Sequence, residues 1–220
     1  MQSFITLALA TLALANPIDL EARQRTVGST AKEFTVSGCR PVIMFFARGS
    51  TEIGNMGTVC GPPTANGLKS ALGADNIAVE GIDYAALVST NLLPGGADLV
   101  GIREMKDQIA KAVTRCPNSQ IVVGGYSQGA ALTHRAVEDL TSAQKARIAA
   151  AFTFGDTKNQ QDRGQIPNFP TEKTLIICNV GDAVCSGSLL ILAPHLTYGT
   201  RAGEAVSFVV SRLRAAGLQV

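Results

Sequence analysis

The chain has 220 residues, a formal net charge of +2 and only 16% charged side chains. A balance this close to neutral, with no Lys/Arg cluster or basic helix face, excludes a nucleic-acid binder. The length suits one domain with a sizeable core, and no internal repeat, low-complexity tract or linker divides it.

Residues 1–15 carry no charged side chain, and their apolar run is too short to span a bilayer. The run ends in Ala13-Leu14-Ala15, a small-x-small cleavage pattern, so 1–15 reads as a secretory signal peptide. Residues 16–30 are polar, with Arg23 and Arg25, and read as a propeptide or flexible tail ahead of a single domain at 31–220. No other run is long enough for a transmembrane segment. The mature protein is expected to be secreted, extracellular and a monomer.

From there the pattern alternates. Short apolar runs bounded by turn residues at 41–47, 77–81, 120–124, 149–154 and 174–178 predict strands buried on both faces. Helices are predicted over 64–72, 97–114, 128–140 and 202–215. In the second, Leu99, Ile102, Met105, Ile109, Ala112 and Val113 recur at three- and four-residue steps, which makes the stripe core. Strand–helix alternation implies a parallel sheet with helices on both faces and a site at the strands' C-terminal ends.

The segment 121–132 carries the strongest signal. A β-branched run ends in Gly125-Tyr126-Ser127-Gln128-Gly129 and an Ala-rich helix follows, the context that makes G-x-S-x-G a nucleophile elbow. Gly125 and Gly129 stand where a Cβ would collide with neighbouring backbone, and the helix N-terminus favours a developing oxyanion. The competing reading is a glycine-rich β–α turn that happens to contain serine.

A serine nucleophile needs a base, and the chain has two histidines. His134 is seven residues past Ser127 on the same helix, roughly 10 Å along its axis, too far to serve. It reads as an ordinary helix-surface residue, which leaves His195. The base in turn needs a carboxylate. Asp182 and Asp156 both follow predicted strands. Asp182 is preferred because Cys178 and Cys185 flank its loop, and Asp156 is the alternative.

Five cysteines in a secreted chain imply two disulfides and one leftover, and spacing alone allows 15 pairings. Cys178 and Cys185 form a natural small staple. Cys39 and Cys116 precede strands that could be neighbours. Cys60 remains as a free, partly buried thiol in a Gly-rich loop, with no histidine near it in sequence to make it a nucleophile.

Taken together, Cys39-Arg40, Ala47-Arg48-Gly49-Ser50-Thr51-Glu52, Gly54-Asn55-Met56-Gly57, Gly125-Tyr126-Ser127-Gln128-Gly129, Cys178-Asn179-x-x-Asp182-x-x-Cys185 and His195-Leu196-x-Tyr198 resemble the fungal cutinase family, from about Glu33 onward. The resemblance implies a three-layer α/β-hydrolase sandwich with a central five-stranded parallel sheet, no lid domain, and hydrolysis of cutin polyester or lipid-like esters. It implies a triad of Ser127, Asp182 and His195, an oxyanion hole of Ser50 and Gln128, and bridges Cys39–Cys116 and Cys178–Cys185. Cys60 departs from the four-cysteine pattern of the best-known members.

Two apolar loops, 87–94 and 189–192, lead toward the same face. Leu87, Val88, Leu189, Leu190 and Ile191 are therefore candidates for substrate contact rather than core. No metal-ligand spacing or phosphate loop is present, so no metal or cofactor is expected. The rival readings are an acetylxylan esterase of the same fold and a catalytically silent wall-binding protein. A chain without Trp and with three Tyr is poorly equipped to stack sugars, and a binding module needs no such set of groups.

Overall fold

A computed structural model describes residues 26–219, so the predicted signal peptide lies outside the described residues, as does 16–25 of the tail. Residues 26–30, expected in that tail, are held onto the domain. Val27 is buried and exchanges two hydrogen bonds with the Asn66 side chain, and the Ser29 carbonyl accepts from the N–H groups of Asn55 and Met56.

Five strands form the predicted parallel sheet: β1 (Val42–Ala47), β2 (Ile77–Gly81), β3 (Gln120–Tyr126), β4 (Ile148–Phe154) and β5 (Thr174–Ile177). Their order is β2-β1-β3-β4-β5, all pairs parallel. β1 to β4 are buried almost throughout, whereas β5 is an edge strand only partly covered along most of its length. β2 is the other edge but is covered by the segment around Glu33–Ser37, whereas β5 is left open along most of its length, which is why it departs from the two-sided burial its composition predicted.

Alternation along the strands divides the core. Ile43, Phe45, Ile121 and Val123 pack with Met105, Ile109 and Ala112 of α3 (Leu99–Arg115) and Leu132, Ala136 and Val137 of α4 (Gln128–Glu138). Val42, Met44, Phe46 and Val122 face the other way, onto Ala65 and Leu68 of α2 (Gly61–Leu72) and Val209 and Leu213 of α6 (Ala202–Ala215). This period-2 division makes the three-layer sandwich.

Differences from expectation are local. α2 begins at Gly61 rather than 64 because Pro62 and Pro63 fit a first turn, whose N–H groups lack helical partners anyway. α3 starts after Asp98, whose carboxylate caps the N–H groups of Val100 and Gly101. Leu99 is therefore on the open first turn and 64% exposed, so it does not belong to the core stripe. Two short helices were not foreseen: α1 (Glu33–Ser37), which seats Phe34 edge-on against Phe45, and α5 (Ser142–Arg147). α5 buries no side chain and so has no periodic signal; the Thr141–Gln144 capping box starts it.

Cys39–Cys116 ties the entrance of β1 to that of β3, and Cys178–Cys185 closes the loop after β5. Cys60 is free, as expected, but wholly buried at the start of α2 rather than partly exposed. In the chain-entropy model the long bridge contributes ~4.5 kcal/mol and the short one ~2.5 kcal/mol. Replacing Cys39 and Cys116 by Ala should therefore lower the urea midpoint more than replacing Cys178 and Cys185, while the second pair, which flanks Asp182, should cost more of the ester hydrolysis that the resemblance implies at low urea. Equilibrium unfolding and rate assays on the two double variants check both orders.

Candidate active site

The strand order reverses direction at β1 and β3, and the crevice beyond their C-terminal ends is where open α/β sheets place ligands. Ser50 follows β1 and Ser127 follows β3. Ser127 has φ 55° and ψ −117°, a conformation that strains any residue with a Cβ. The turn closes because Gly125 and Gly129 bring backbone into contact. A Cβ on Gly129 would lie 2.0 Å from the Ala47 carbonyl oxygen, and one on Gly125 would lie 2.1 Å from that of Gly129. The Ser127 N–H donates to the Phe154 carbonyl, which anchors the turn to β4.

His195 sits in a short turn, Ala193–Leu196, with its ring buried. Its Nε2 lies 3.0 Å from Ser127 Oγ and its Nδ1 2.8 Å from Asp182 Oδ2. Tyr126 stacks beside the ring and donates its hydroxyl to the His195 carbonyl at 2.7 Å. The Asp182 carboxylate is buried and satisfied: Oδ1 accepts from the Val184 N–H, and Oδ2 also accepts from the Tyr198 hydroxyl at 2.6 Å. Burial, and after it the bond to Asp182, push the Tyr198 phenol far above its usual range, so it remains a donor. An ionised Asp182 accepts from Nδ1–H, which leaves Nε2 free to accept the Ser127 proton. That is the order in which an imidazole can activate a hydroxyl.

Ser50 is positioned just as closely. Its Oγ accepts from Asn91 Nδ2 at 2.9 Å and from Gln128 Nε2 at 3.1 Å. With both lone pairs engaged, its own proton is directed elsewhere. Gln128 Nε2 also reaches the Leu87 carbonyl. The loop bearing Ser50 is clamped by Glu52, whose carboxylate accepts from the N–H groups of Gly49, Thr58 and Val59. Arg48 donates to the carbonyls of Glu52 and Tyr84, and Tyr84 donates back to the Arg48 carbonyl. Thr51, itself at φ 64°, donates its N–H to Ala86.

Beside these groups lies a cleft of about 310 Å³ lined by Ser50, Ser127, His195 and the apolar side chains Val88, Leu92, Leu189 and Ile191. Of the five residues expected to contact substrate, Val88, Leu189 and Ile191 line it. Leu87 and Leu190 are exposed but do not; Leu87 enters the site through its carbonyl. Leu92, inside the expected apolar loop 87–94, and Leu196, inside a quoted motif, also belong to the wall, although neither was named as a contact. Asn91, Glu52, Tyr126 and Tyr198 were not assigned roles either. Glu52 and Tyr198 stood inside quoted motifs, but Asn91 carries no local signal, because its partner is 41 residues away.

Two expectations are corrected. His134 is not a surface residue: it is wholly buried between the carboxylates of Asp156 and Asp162. Asp156, the alternative acid, is engaged by His134 and not by His195. Burial, with the Glu52 charge after it, raises the Cys60 thiol well above its usual range.

The fold and this chain of hydroxyl, imidazole and carboxylate define a serine-type α/β-hydrolase. Residues 38–213 match the Cutinase family model. The chain is 54% identical over 211 residues to cutinase CUT2 of Pyricularia oryzae, covering 96% of this chain and 98% of that one. It is 44% identical over 223 residues to a cutinase of Fusarium solani subsp. cucurbitae, covering 98% and 96%. The solved Trichoderma reesei cutinase in complex with a C11Y4 phosphonate inhibitor superposes with a TM-score of 0.76 at 36% identity, covering 89% of this chain and 84% of that one. The chain belongs to the cutinase family and is a carboxylic ester hydrolase. An acetyl xylan esterase structure, 23% identical with a TM-score of 0.63 over 80% of this chain and 99% of that one, shares the fold.

Asn91→Ala should release the Ser50 hydroxyl from its fixed orientation. The expected result on a soluble ester is about a tenfold loss in kcat with little change in KM, less than the roughly 10²–10³ lost when an oxyanion donor is removed outright. Steady-state kinetics beside a thermal melt separate this from a folding defect.

Proposed function

We propose that Ser127, His195 and Asp182 are the nucleophile, general base and orienting acid of a secreted serine esterase that hydrolyses cutin polyester and other aliphatic, lipid-like esters. The observation that carries this reading is the unbroken Ser127–His195–Asp182 hydrogen-bond chain beside an apolar cleft.

His195 Nε2 takes the Ser127 proton as Oγ attacks the ester carbonyl. The tetrahedral oxyanion accepts from the backbone N–H of Gln128 and from the N–H and hydroxyl of Ser50, groups held in place before substrate arrives. The imidazolium, stabilised by Asp182, then protonates the leaving alcohol. Water attacks the acyl-enzyme by the same route in reverse, so the residues need no metal or cofactor.

Secretion is supported by the apolar N-terminal run and by two disulfides. No helix among the described residues is long and apolar enough to cross a membrane. The near-neutral charge supports a reading without a nucleic-acid partner, and that reading takes the enzyme as a monomer. An acetylated polysaccharide is disfavoured as substrate: the chain lacks Trp, and Tyr84, Tyr126 and Tyr198 are all buried, so no Tyr or Trp is free to stack on a sugar ring.

Ser127→Ala should abolish both turnover and labelling by an organophosphonate. Asp182→Asn leaves the imidazole in the wrong tautomer and should cost on the order of 10⁴ in kcat. A Ser127→Ala enzyme with full esterase activity would sink the assignment.

Leu190 is 60% exposed and lies outside the cleft wall, so its side chain is placed to meet a surface rather than a bound acyl chain. Leu190→Asp should therefore weaken adsorption to emulsified or polymeric ester far more than it slows a short soluble one. Equal losses on both would point to damage in the loop itself.

A further inference from the structure

The second histidine is engaged in a way the reaction, as described, does not use. His134 Nε2 lies 2.8 Å from Asp156 Oδ2 and its Nδ1 2.7 Å from Asp162 Oδ2. An ionised carboxylate can only accept, so both ring nitrogens must donate and the ring is an imidazolium. Asp156 is wholly buried, and its remaining bonds come from the Thr153 hydroxyl and the Lys158 N–H.

Asp156 opens a loop that touches all three catalytic positions. Before it, Gly155 lies against the base: a Cβ there would be 2.8 Å from His195 Cε1 and 2.7 Å from the Tyr198 ring. After it, the Thr157 hydroxyl reaches the Ser127 carbonyl at 3.3 Å, and Asn159 Nδ2 donates to the Cys185 carbonyl at 3.0 Å, in the stapled loop that carries Asp182. One loop thus contacts the serine turn, the imidazole ring and the acid's loop.

We propose that the imidazolium of His134, clamped between Asp156 and Asp162, is a positioning group for catalysis: it fixes the 155–160 loop on which Ser127, His195 and the Asp182 loop are aligned. This rests on the triad reading above. His134 touches neither substrate nor reacting atoms and acts through that loop.

The proton carries a sign. Burial pulls His134 down, but the charges and hydrogen bonds of Asp156 and Asp162 outweigh it and raise the ring to about 9. Burial also works to raise both carboxyls, yet the His134 charge and hydrogen bonds hold each below its usual value, with Arg135 adding to the effect on Asp162. Other charges around the clamp are Arg135, which pairs with Asp162 and, at 3.1 Å, with Glu138 on its own helix, and Lys158, whose backbone N–H donates to Asp156. A histidine raised on folding gives stability that is fully present below its unfolded value of about 6.5 and is lost as pH rises through about 9. The loop should loosen over that range. Burial pushes Cys60, Tyr84, Tyr126 and Tyr198 well above their ordinary values, so none of them mimics the titration.

The test follows kcat and KM on a soluble ester from pH 6 to 10, with Ser127→Ala subtracted as background, beside ¹⁵N-histidine NMR of the wild type. The wild type should lose kcat at nearly constant KM through about pH 9, as the His134 ring loses its proton. His134→Gln should lower kcat by about 10- to 100-fold at pH 7, the scale of a small misplacement of catalytic groups, and abolish the alkaline limb. Adding Asp156→Asn, which gives a neutral hydrogen-bonded pair, should recover part of that kcat without restoring the limb. A persistent alkaline limb or an unchanged kcat in folded His134→Gln overturns the proposal. Should that variant not fold, the wild-type comparison decides: a neutral His134 at pH 7, or kcat flat through its titration, overturns it equally. The NMR titration should be the same in Ser127→Ala, so a failure of the triad reading is separable from a failure of this one.

Discussion

The structure depends on one strained turn. Ser127 holds a backbone conformation that costs an L-residue about 1–3 kcal/mol, and it is maintained because its surroundings over-determine it. β3 is paired on both sides, to β1 and β4, right up to Gly125 and Tyr126. Gly129 lets α4 pack directly on the end of β1, and Gly125 lets β3 lie against the first turn of α4. Every other component of the site is placed relative to that hydroxyl: Ser50 from the neighbouring strand end, His195 and Asp182 from loops across the sheet's C-terminal edge. The sheet supplies rigidity where its strands end, which is why groups drawn from four separate segments can meet within hydrogen-bond distance.

The two histidines show how environment assigns different work to one side chain. Both are buried, and both meet an aspartate at 2.8 Å. His195 has a carboxylate on one nitrogen and a hydroxyl on the other, so a neutral ring satisfies both partners. His134 has a carboxylate on each side, and only a charged ring satisfies both. The first arrangement leaves a lone pair for a proton to arrive at, and the second leaves none. A reading that located histidines by helix spacing could reject His134 as the base, yet it could not foresee this environment, because Asp156 and Asp162 reach it from 22 and 28 residues away.

That contrast marks what the sequence makes legible. Strands buried on both faces announce themselves as apolar runs, and the G-x-S-x-G turn between β3 and α4 carries its own local grammar. The five strands and four longer helices follow from such local signals. α1 and α5 are too short or too exposed to leave a period. The proposed acid–base pair could be narrowed by elimination because the chain has two histidines and the Asp182 loop has a staple. Asn91, Tyr126 and the Glu52 clamp were out of reach for a different reason. Each acts through hydrogen bonds to backbone or to distant side chains, and such bonds impose no pattern on neighbouring residues. Val88, Leu189 and Ile191 line the cleft, whereas Leu87 and Leu190, from the same two apolar loops, do not, because composition cannot tell which way a loop side chain points.

The last link is between the apolar rim and the rigidity behind it. Leu92 is 78% exposed and Leu196 59%, and Leu87, Val88 and the 189–192 segment are also left open by the fold. An enzyme that closes over a small substrate can assemble its catalytic groups during closure and expel water at that moment. A polyester surface cannot be enclosed, so that route is closed to a site with an open rim. Alignment must then exist in the free enzyme, and the fold provides it from three sides. Glu52 and Arg48 hold the Ser50 loop, the Cys178–Cys185 staple with Tyr198 holds Asp182, and the Asp156 loop lies against His195. On the proposed reading, a substrate lying on the exposed leucines would supply the low-dielectric cover that a lid gives elsewhere, and each preset hydrogen bond would strengthen as the ester docks.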